Sequence, residues 1–206
     1  MDEKIRVLVA CEFSGTVRDA FIKKGHDAWS CDLLETESEG PHIQGDVIPI
    51  LDMGWDLMIA HPPCTYLATA GARWFKDDPT RYDKQKDGLE FFMTIVNAPI
   101  QKICVENPQG YINTLYRKPD QVIHPYFFGD DAMKRTCLWL KNLPRLKYEL
   151  VQDSLFWKRT AIDKPAPLGI SPKGRKYNYC EMHYGDWKAR SKFWPGIASA
   201  MAEQWG

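Results

Sequence analysis

Several apolar runs in this chain end on a residue able to do chemistry. The sharpest case is Leu57-Met58-Ile59-Ala60-His61-Pro62-Pro63-Cys64. Leu57 to Ala60 reads as a buried strand. Pro62 and Pro63 lack the N–H that a central strand needs, so the chain must leave the sheet there. Cys64 then falls just beyond the carboxyl end of the strand, the edge at which open α/β sheets bind ligands. A thiol held at that edge is a candidate nucleophile, and an inert core cysteine is the alternative. Lys102 to Val105 stops in the same manner at Glu106-Asn107-Pro108. Ile5 to Ala10 runs into the turn Glu12-Phe13-Ser14-Gly15, Ala28 to Cys31 ends at Asp32, and His42 to Gln44 is followed by Gly45-Asp46-Val47. An acidic residue after a second strand suits a ribose diol, and a glycine turn lets a ligand approach the backbone. Turn formation or helix capping is the simpler role for Asp32 and Asp46. His61 can serve as a ligand or proton carrier, or pack on Pro62 as an ordinary loop histidine. No G-x-G-x-x-G and no Walker-type phosphate loop is present.

These residues meet only if the runs are parallel strands of one sheet. Val17, Ala20, Phe21 and Lys24 keep helical spacing after the first strand, and Gly25 supplies a stop. Arg81 to Asn97 is the clearest helix, with Leu89, Phe92, Met93 and Val96 on one face. Strand and helix alternate, which predicts βαβ units and a parallel sheet. Gln121 to Phe128 and Thr136 to Leu140 read as two further strands, paired antiparallel across a short connection. Residues 65–80 form a long connection beside Cys64, and residues 196–205 a last helix with Ile197, Met201 and Trp205 on one face.

The six cysteines are scattered, without a C-x-x-C pair. Cys11, Cys31, Cys104 and Cys137 lie in or beside apolar runs and read as reduced core residues. Cys180 and His183 are spaced like half of a zinc site, with no second half in view. No signal-peptide pattern precedes the first strand, and no apolar run approaches the roughly 18 residues of a membrane span. A soluble cytoplasmic monomer is expected. The formal net charge is +0, but unevenly spread. Residues 1–140 hold 15 Lys and Arg against 21 Asp and Glu, and residues 141–206 hold 12 against 6. Such asymmetry points to a basic surface for a polyanion, or to a solvated basic face without a partner.

Taken in order, these segments resemble the DNA cytosine-5 methyltransferases, most of all their compact phage and prophage relatives. Val9-Ala10-Cys11-Glu12-Phe13-Ser14-Gly15 stands where that family has its F-x-G-x-G cofactor turn. Asp32, with Leu33 beside it, matches the acidic residue that holds the ribose of S-adenosyl-L-methionine, and Gly45-Asp46-Val47 the residues around the adenine. Pro63-Cys64 matches the catalytic Pro-Cys, and Glu106-Asn107 the catalytic Glu-Asn. Met133-Lys134-Arg135 resembles the Q-x-R-x-R segment, and Pro195 to Ala202 the last motif, a helix beside the cofactor. The resemblance implies a Rossmann-like α/β methyltransferase fold, mostly parallel with an antiparallel edge hairpin. It implies a cofactor site of Phe13, Ser14, Gly15, Asp32, Leu33, Asp46, Val47 and Pro62, and catalytic Cys64, Glu106 and Arg135. Carbon 5 of cytosine is a poor nucleophile, and addition of a thiolate at carbon 6 makes it enamine-like. Cys64 would be that thiolate. Glu106, protonated in an apolar strand end, would hold ring nitrogen 3 and the amine, and Arg135 the carbonyl oxygen at carbon 2. The partner is DNA, from which the base must be flipped. A phage-encoded chain would work in the host cytoplasm.

The chain departs from the pattern at Val17, which replaces the second glycine of the cofactor turn, at Thr65 after the cysteine, and at Met133 or its neighbour. The large target-recognition domain is missing. A core of 1–142 and a C-terminal segment of 188–206 enclose only 143–187, a basic and aromatic insertion suited to backbone contact and base stacking, which implies short or relaxed specificity. Three rival readings stay open. One is an amino-group methyltransferase, which His61-Pro62-Pro63 fits in part. Another is an enzyme acting on carbon 5 of a free pyrimidine nucleotide, as thymidylate-synthase-type enzymes do. The third is a non-catalytic nucleic-acid-binding relative.

Overall fold

The computed structural model describes residues 3–69, 74–148, 169–170, 176–177 and 186–206. In chain order Arg6–Ala10 forms β1, Thr16–Lys23 α1, Asp27–Asp32 β2, His42–Gln44 β3 and Leu57–Ala60 β4. Arg81–Val96 forms α2, Lys102–Pro108 β5, Ile112–Leu115 α3, Gln121–Ile123 β6 and Thr136–Lys141 β7. Gly169–Ile170 and Lys176–Tyr177 are β8 and β9, Trp187–Ser191 is α4 and Pro195–Trp205 is α5. Seven strands make one sheet in the order β3-β2-β1-β4-β5-β7-β6. The pairs from β3 to β5 are all parallel, whereas β7 runs antiparallel to both β5 and β6. This is the 3-2-1-4-5-6 order of a Rossmann-like sheet with one antiparallel strand inserted near the edge.

The strands read as continuous apolar runs because both faces of the sheet are covered. Val7, Val9, Leu57 and Ile59 pack with Phe21 of α1 and with Ile197, Met201 and Trp205 of α5. Leu8, Ala10, Met58, Ala60, Ile103 and Val105 point the other way, onto Phe92 and Ile95 of α2. The predicted face of α5 is the observed one. That of α2 is centred on Phe92 and Ile95, with Leu89, Met93 and Val96 only partly buried at its margins. Pro195 occupies the first turn of α5, where a missing N–H is harmless, and the Asp130 carboxylate accepts from the Gly196 N–H at 3.0 Å.

Two strand boundaries differ from expectation. β5 continues through Glu106, Asn107 and Pro108, because β7 lies antiparallel beside it and pairs these three with Leu138, Cys137 and Thr136. β6 ends at Ile123, since Pro125 cannot donate to a ladder and opens a 3-10 turn, Pro125–Phe128, closed by Gly129 at φ 90°. α3 and α4 are short helices that apolar periodicity does not reveal. Within 143–187 the described parts are 143–148, the antiparallel pair β8–β9, and residues 186 and 187. Tyr148 stacks on Phe127 with ring centroids 4.5 Å apart. Phe156, Trp157, Tyr179, Tyr184 and the Cys180–His183 pair lie outside the described residues, as does the side chain of Trp187. Among the described residues no group of three or more His, Cys, Asp or Glu could hold a metal, and no helix is long and apolar enough to cross a membrane.

Candidate active site at the carboxyl edge of the sheet

Parallel pairing brings the ends of β1 to β5 to one edge. The register sets Ala10, Ala60 and Val105 side by side, so His61 and Glu106 come next on adjacent strands. β7 runs the other way, and so brings its beginning, Lys134 and Arg135, to the same edge. One edge thus holds every residue picked from the strand ends.

On the β4–β5 side, His61 keeps its N–H on the Ala10 carbonyl at 2.9 Å before the two prolines turn the chain out. Pro62 is buried, and its carbonyl accepts from the Asn107 side-chain amide at 2.9 Å. This bond joins the two turns that carry Cys64 and Glu106. Cys64 is half-buried, and its carbonyl accepts the N–H groups of Leu67 and Ala68 at 3.0 and 2.9 Å. The following loop is tied to β5's end by a bridge between Ala68 and Gly110 and by Tyr111 N–H to the Leu67 carbonyl, 2.7 Å. Burial pushes the Cys64 thiol up, and the Glu106 carboxylate adds to this, while Lys134 and Arg190 pull it down. The negative charge of Glu106 thus disfavours the Cys64 thiolate.

Glu106 is buried, with His61 Nδ1 3.4 Å from its Oε2. Burial alone would raise its carboxyl. The His61 hydrogen bond, Lys134 and the charge of His61 together outweigh burial and hold Glu106 below the ordinary carboxylate value. That direction is opposite to the raised carboxyl expected from an apolar strand end. Arg135 is exposed and hydrogen-bonds the Gln109 side chain. The cation that acts on both Cys64 and Glu106 is its neighbour Lys134.

On the β1–β3 side, Phe13 and Val47 are buried, while Leu33 is 73% exposed beside Asp32. Ser14 Oγ lies 3.1 Å from Thr16 Oγ1 at the entry to α1. Asp32 and Asp46 each use Oδ1 locally, on the N–H of Leu34 at 2.9 Å and of Ile48 at 3.0 Å. Their turn-forming role is real, and in each the second carboxylate oxygen has no hydrogen bond among the described residues. Gly15 sits at φ 73°, where a side chain is strained, and an added Cβ would run into Arg18 and Ser38. Close packing by the protein itself therefore explains this glycine. Arg18 is fully buried under the β2–β3 loop, bonding Ser30, Thr36, the Ser38 carbonyl and hydroxyl, the Glu39 carbonyl and Asp19. Leu33 is thus an exposed apolar side chain beside Asp32, a carboxylate with one oxygen left to accept a further hydrogen bond.

The residues that sequence reading passed over come mostly from far along the chain. Glu12 is buried and accepts the N–H groups of Val17 and Arg18 at 2.7 and 3.2 Å, capping α1. Burial pushes its carboxyl up against the pull of His61, those two bonds and Arg18. The segment around α4 lies across the edge. Lys192 and Lys188 pair with Glu37 at 2.7 and 3.5 Å, Lys188 stands over the Phe13 ring, and Phe193 packs on His61 with centroids 4.5 Å apart. Arg190 supplies a charge that acts on Cys64, and its carbonyl accepts from Lys134 at 3.2 Å. The basic excess of residues 141–206 was the available signal for these contacts. In comparisons with known proteins, no family model and no curated protein matches this chain, so its residues and their geometry carry the functional reading.

Proposed function

We propose that this chain transfers a methyl group to carbon 5 of cytosine in DNA through a covalent bond between Cys64 and carbon 6 of the base. The observation that carries this is the arrival of Cys64 and Glu106 at one sheet edge, from adjacent parallel strands tied together there by the Asn107 bond to the Pro62 carbonyl. A thiol and a carboxyl group at one sheet edge match the two demands of the reaction, addition at carbon 6 and a hydrogen bond to ring nitrogen 3. S-adenosyl-L-methionine, when bound, would supply an activated methyl group. Asp32, Leu33, Asp46 and Val47 would hold its adenosine end beside the Phe13–Gly15 turn, and the thiol side would take the base. Asn107 keeps the Cys64 and Glu106 turns in fixed relation through the Pro62 carbonyl. Lys134, rather than Arg135, is the cation whose charge lowers both Cys64 and Glu106.

Tyr66, two residues after Cys64, lies under the Arg81 guanidinium at 4.7 Å and the Lys84 ammonium at 5.6 Å. An aromatic ring between two cations beside the nucleophile favours a nucleic-acid substrate, through stacking and phosphate contact. Recognition is short or relaxed, because so little of the chain lies outside the α/β core. The test incubates the protein with labelled S-adenosyl-L-methionine and duplex DNA, single-stranded DNA or dCMP, and identifies the methylated base after digestion. Label in 5-methylcytosine that disappears in Cys64→Ala is the expected result. Label in an amino-methylated base, in dCMP alone, or nowhere would replace this reading by one of its rivals.

A further inference from the structure

His61 is the least explained polar residue of the site. It follows the last residue of β4, between β1 and β5, and a buried carboxylate stands on each side, Glu12 two residues past β1 and Glu106 within β5. Its side chain is 10% exposed. Nδ1 faces Glu106, the ring packs on Phe193, and Nε2 is buried without a hydrogen-bond partner. Leaving a buried ring nitrogen unpaired costs about 1–3 kcal/mol. A histidine placed only to fill space would be exchanged for an apolar ring at no loss, so its bond to Glu106 is the feature to explain.

The chemistry proposed above makes opposite demands on Glu106. Cys64 must lose its proton to attack, which needs an acceptor nearby. The base, once attacked, needs a hydrogen-bond donor at ring nitrogen 3. A carboxylate serves the first need and a carboxyl group the second. We propose that His61 is a positioning residue that sets where one proton sits: on the Cys64 thiol while the pocket is empty, and on Glu106 once the sulfur is bonded to the base. This rests on the function proposed above. The thiol proton passes to the Glu106 carboxylate as Sγ bonds carbon 6. The electrons of the ring's 5,6 double bond become available at carbon 5, and the negative charge that spreads to nitrogen 3 is held by the Glu106 O–H. Carbon 5 takes the methyl group of the sulfonium donor, which leaves as a thioether. Water then takes the carbon-5 proton, the double bond re-forms, the Sγ–carbon bond breaks, and the thiolate recovers its proton from Glu106. His61 acts throughout by its bond to Glu106 Oε2. The other charges in the neighbourhood are Glu12 with Arg18 at the end of β1, Lys134 before β7, and Arg190 on α4.

The test reads Cys64 directly, without methyl transfer. Iodoacetamide labelling of Cys64, followed by peptide mapping, is compared at about pH 6 in the unaltered protein, His61→Phe, Glu106→Gln and the double variant. His61→Phe keeps an aromatic ring against Phe193 but frees Glu106 to take up its proton, so the thiol loses a negative neighbour. Labelling is then expected to rise about threefold or more, as in Glu106→Gln, and the double variant is expected to equal Glu106→Gln alone. Methyl transfer by His61→Phe is expected to fall about 100-fold, with S-adenosyl-L-methionine binding unchanged. An unchanged labelling rate in His61→Phe, or an equal further change on adding it to Glu106→Gln, overturns the proposal. If His61→Phe does not fold, His61→Asn enters the same cycle, its amide N–H retaining part of the bond and giving an intermediate rate. Should the unaltered protein methylate no pyrimidine, the function proposed above fails, while the labelling cycle still decides whether His61 governs the proton shared by Cys64 and Glu106.

Discussion

The position of Cys64 is expected to depend on Gly110, far along the chain beyond α2 and β5. Gly110 faces the loop that follows Cys64, and the two backbones touch there, with Ala68 bridged to Gly110. A Cβ added at Gly110 would overlap the Leu67 carbonyl oxygen and lie 2.8 Å from its carbonyl carbon and 2.9 Å from Ala68 Cα. Ordinary contact begins near 3.5 Å, so the carbonyl carbon must retreat by roughly 0.7 Å and the oxygen by well over that, and backbone gives way poorly. Gly110→Ala is expected to cost about 1–3 kcal/mol in overpacking, and about 1 kcal/mol more if the Tyr111 to Leu67 bond opens. For a chain of this length that is a fall in Tm of about 2–16 °C. Displacement of the Cys64 turn by that much would lower methyl transfer by up to about 100-fold. Gly88→Ala is the control, because its Cβ meets the same residue, Leu67, at an ordinary 3.6 Å from the side chain. It sits within α2 and should leave Tm unchanged or raise it, by up to about 1 kcal/mol of helix propensity. Thermal denaturation and Cys64 labelling of both variants decide the matter. A Gly110→Ala protein that melts within about 1 °C of the original and labels at the same rate would refute the idea that this contact sets Cys64 in place.

Arg18→Ala removes a fully buried guanidinium and strands its hydroxyl and carbonyl partners, so stability is expected to fall by about 3–5 kcal/mol in a urea titration. Arg18→Lys should recover little, since an ammonium cannot reproduce the fork of bonds. Asn107→Ala leaves the buried Pro62 carbonyl without its donor and should cost about 1–3 kcal/mol, with a larger loss of methyl transfer than of S-adenosyl-L-methionine binding by calorimetry. Glu106 has a folded value below its ordinary 4.5. Its contribution to stability is therefore fully present above that ordinary value and is lost as pH falls through the lowered folded one. Melting curves between about pH 3 and pH 7 should show Glu106→Gln losing less stability on acidification than the unaltered protein.

The parallel pairing of the central strands was legible in the residues. Leu57 to Ala60 and Lys102 to Val105 are too apolar to lie anywhere but in a sheet covered on both faces, and the prolines after them mark where the chain leaves it. The one-sided faces of α1 and α5 follow from the same spacing rule. The length of β5 did not follow, because Glu106 and Asn107 carry no strand signal of their own and are held in the ladder by β7. Nor did the end of β6, where a local proline outweighed the aromatic run from Tyr126 to Phe128.

By itself, the sequence determined which residues stand at one edge: a thiol, three carboxylates and a glycine turn, each just past an apolar run. This follows from local rules, since proline and charge end strands wherever they occur. Only the tertiary structure decided how those residues are paired. The antiparallel course of β7 puts Lys134 at the edge, the closing segment brings Arg190 and Phe193 to it, and the neighbouring of β1, β4 and β5 sets His61 between Glu12 and Glu106. Charge states follow from such neighbours and not from residue type. Burial pushes the Glu106 carboxyl up, and a histidine 45 residues earlier in the chain, brought to 3.4 Å, pulls it down together with Lys134.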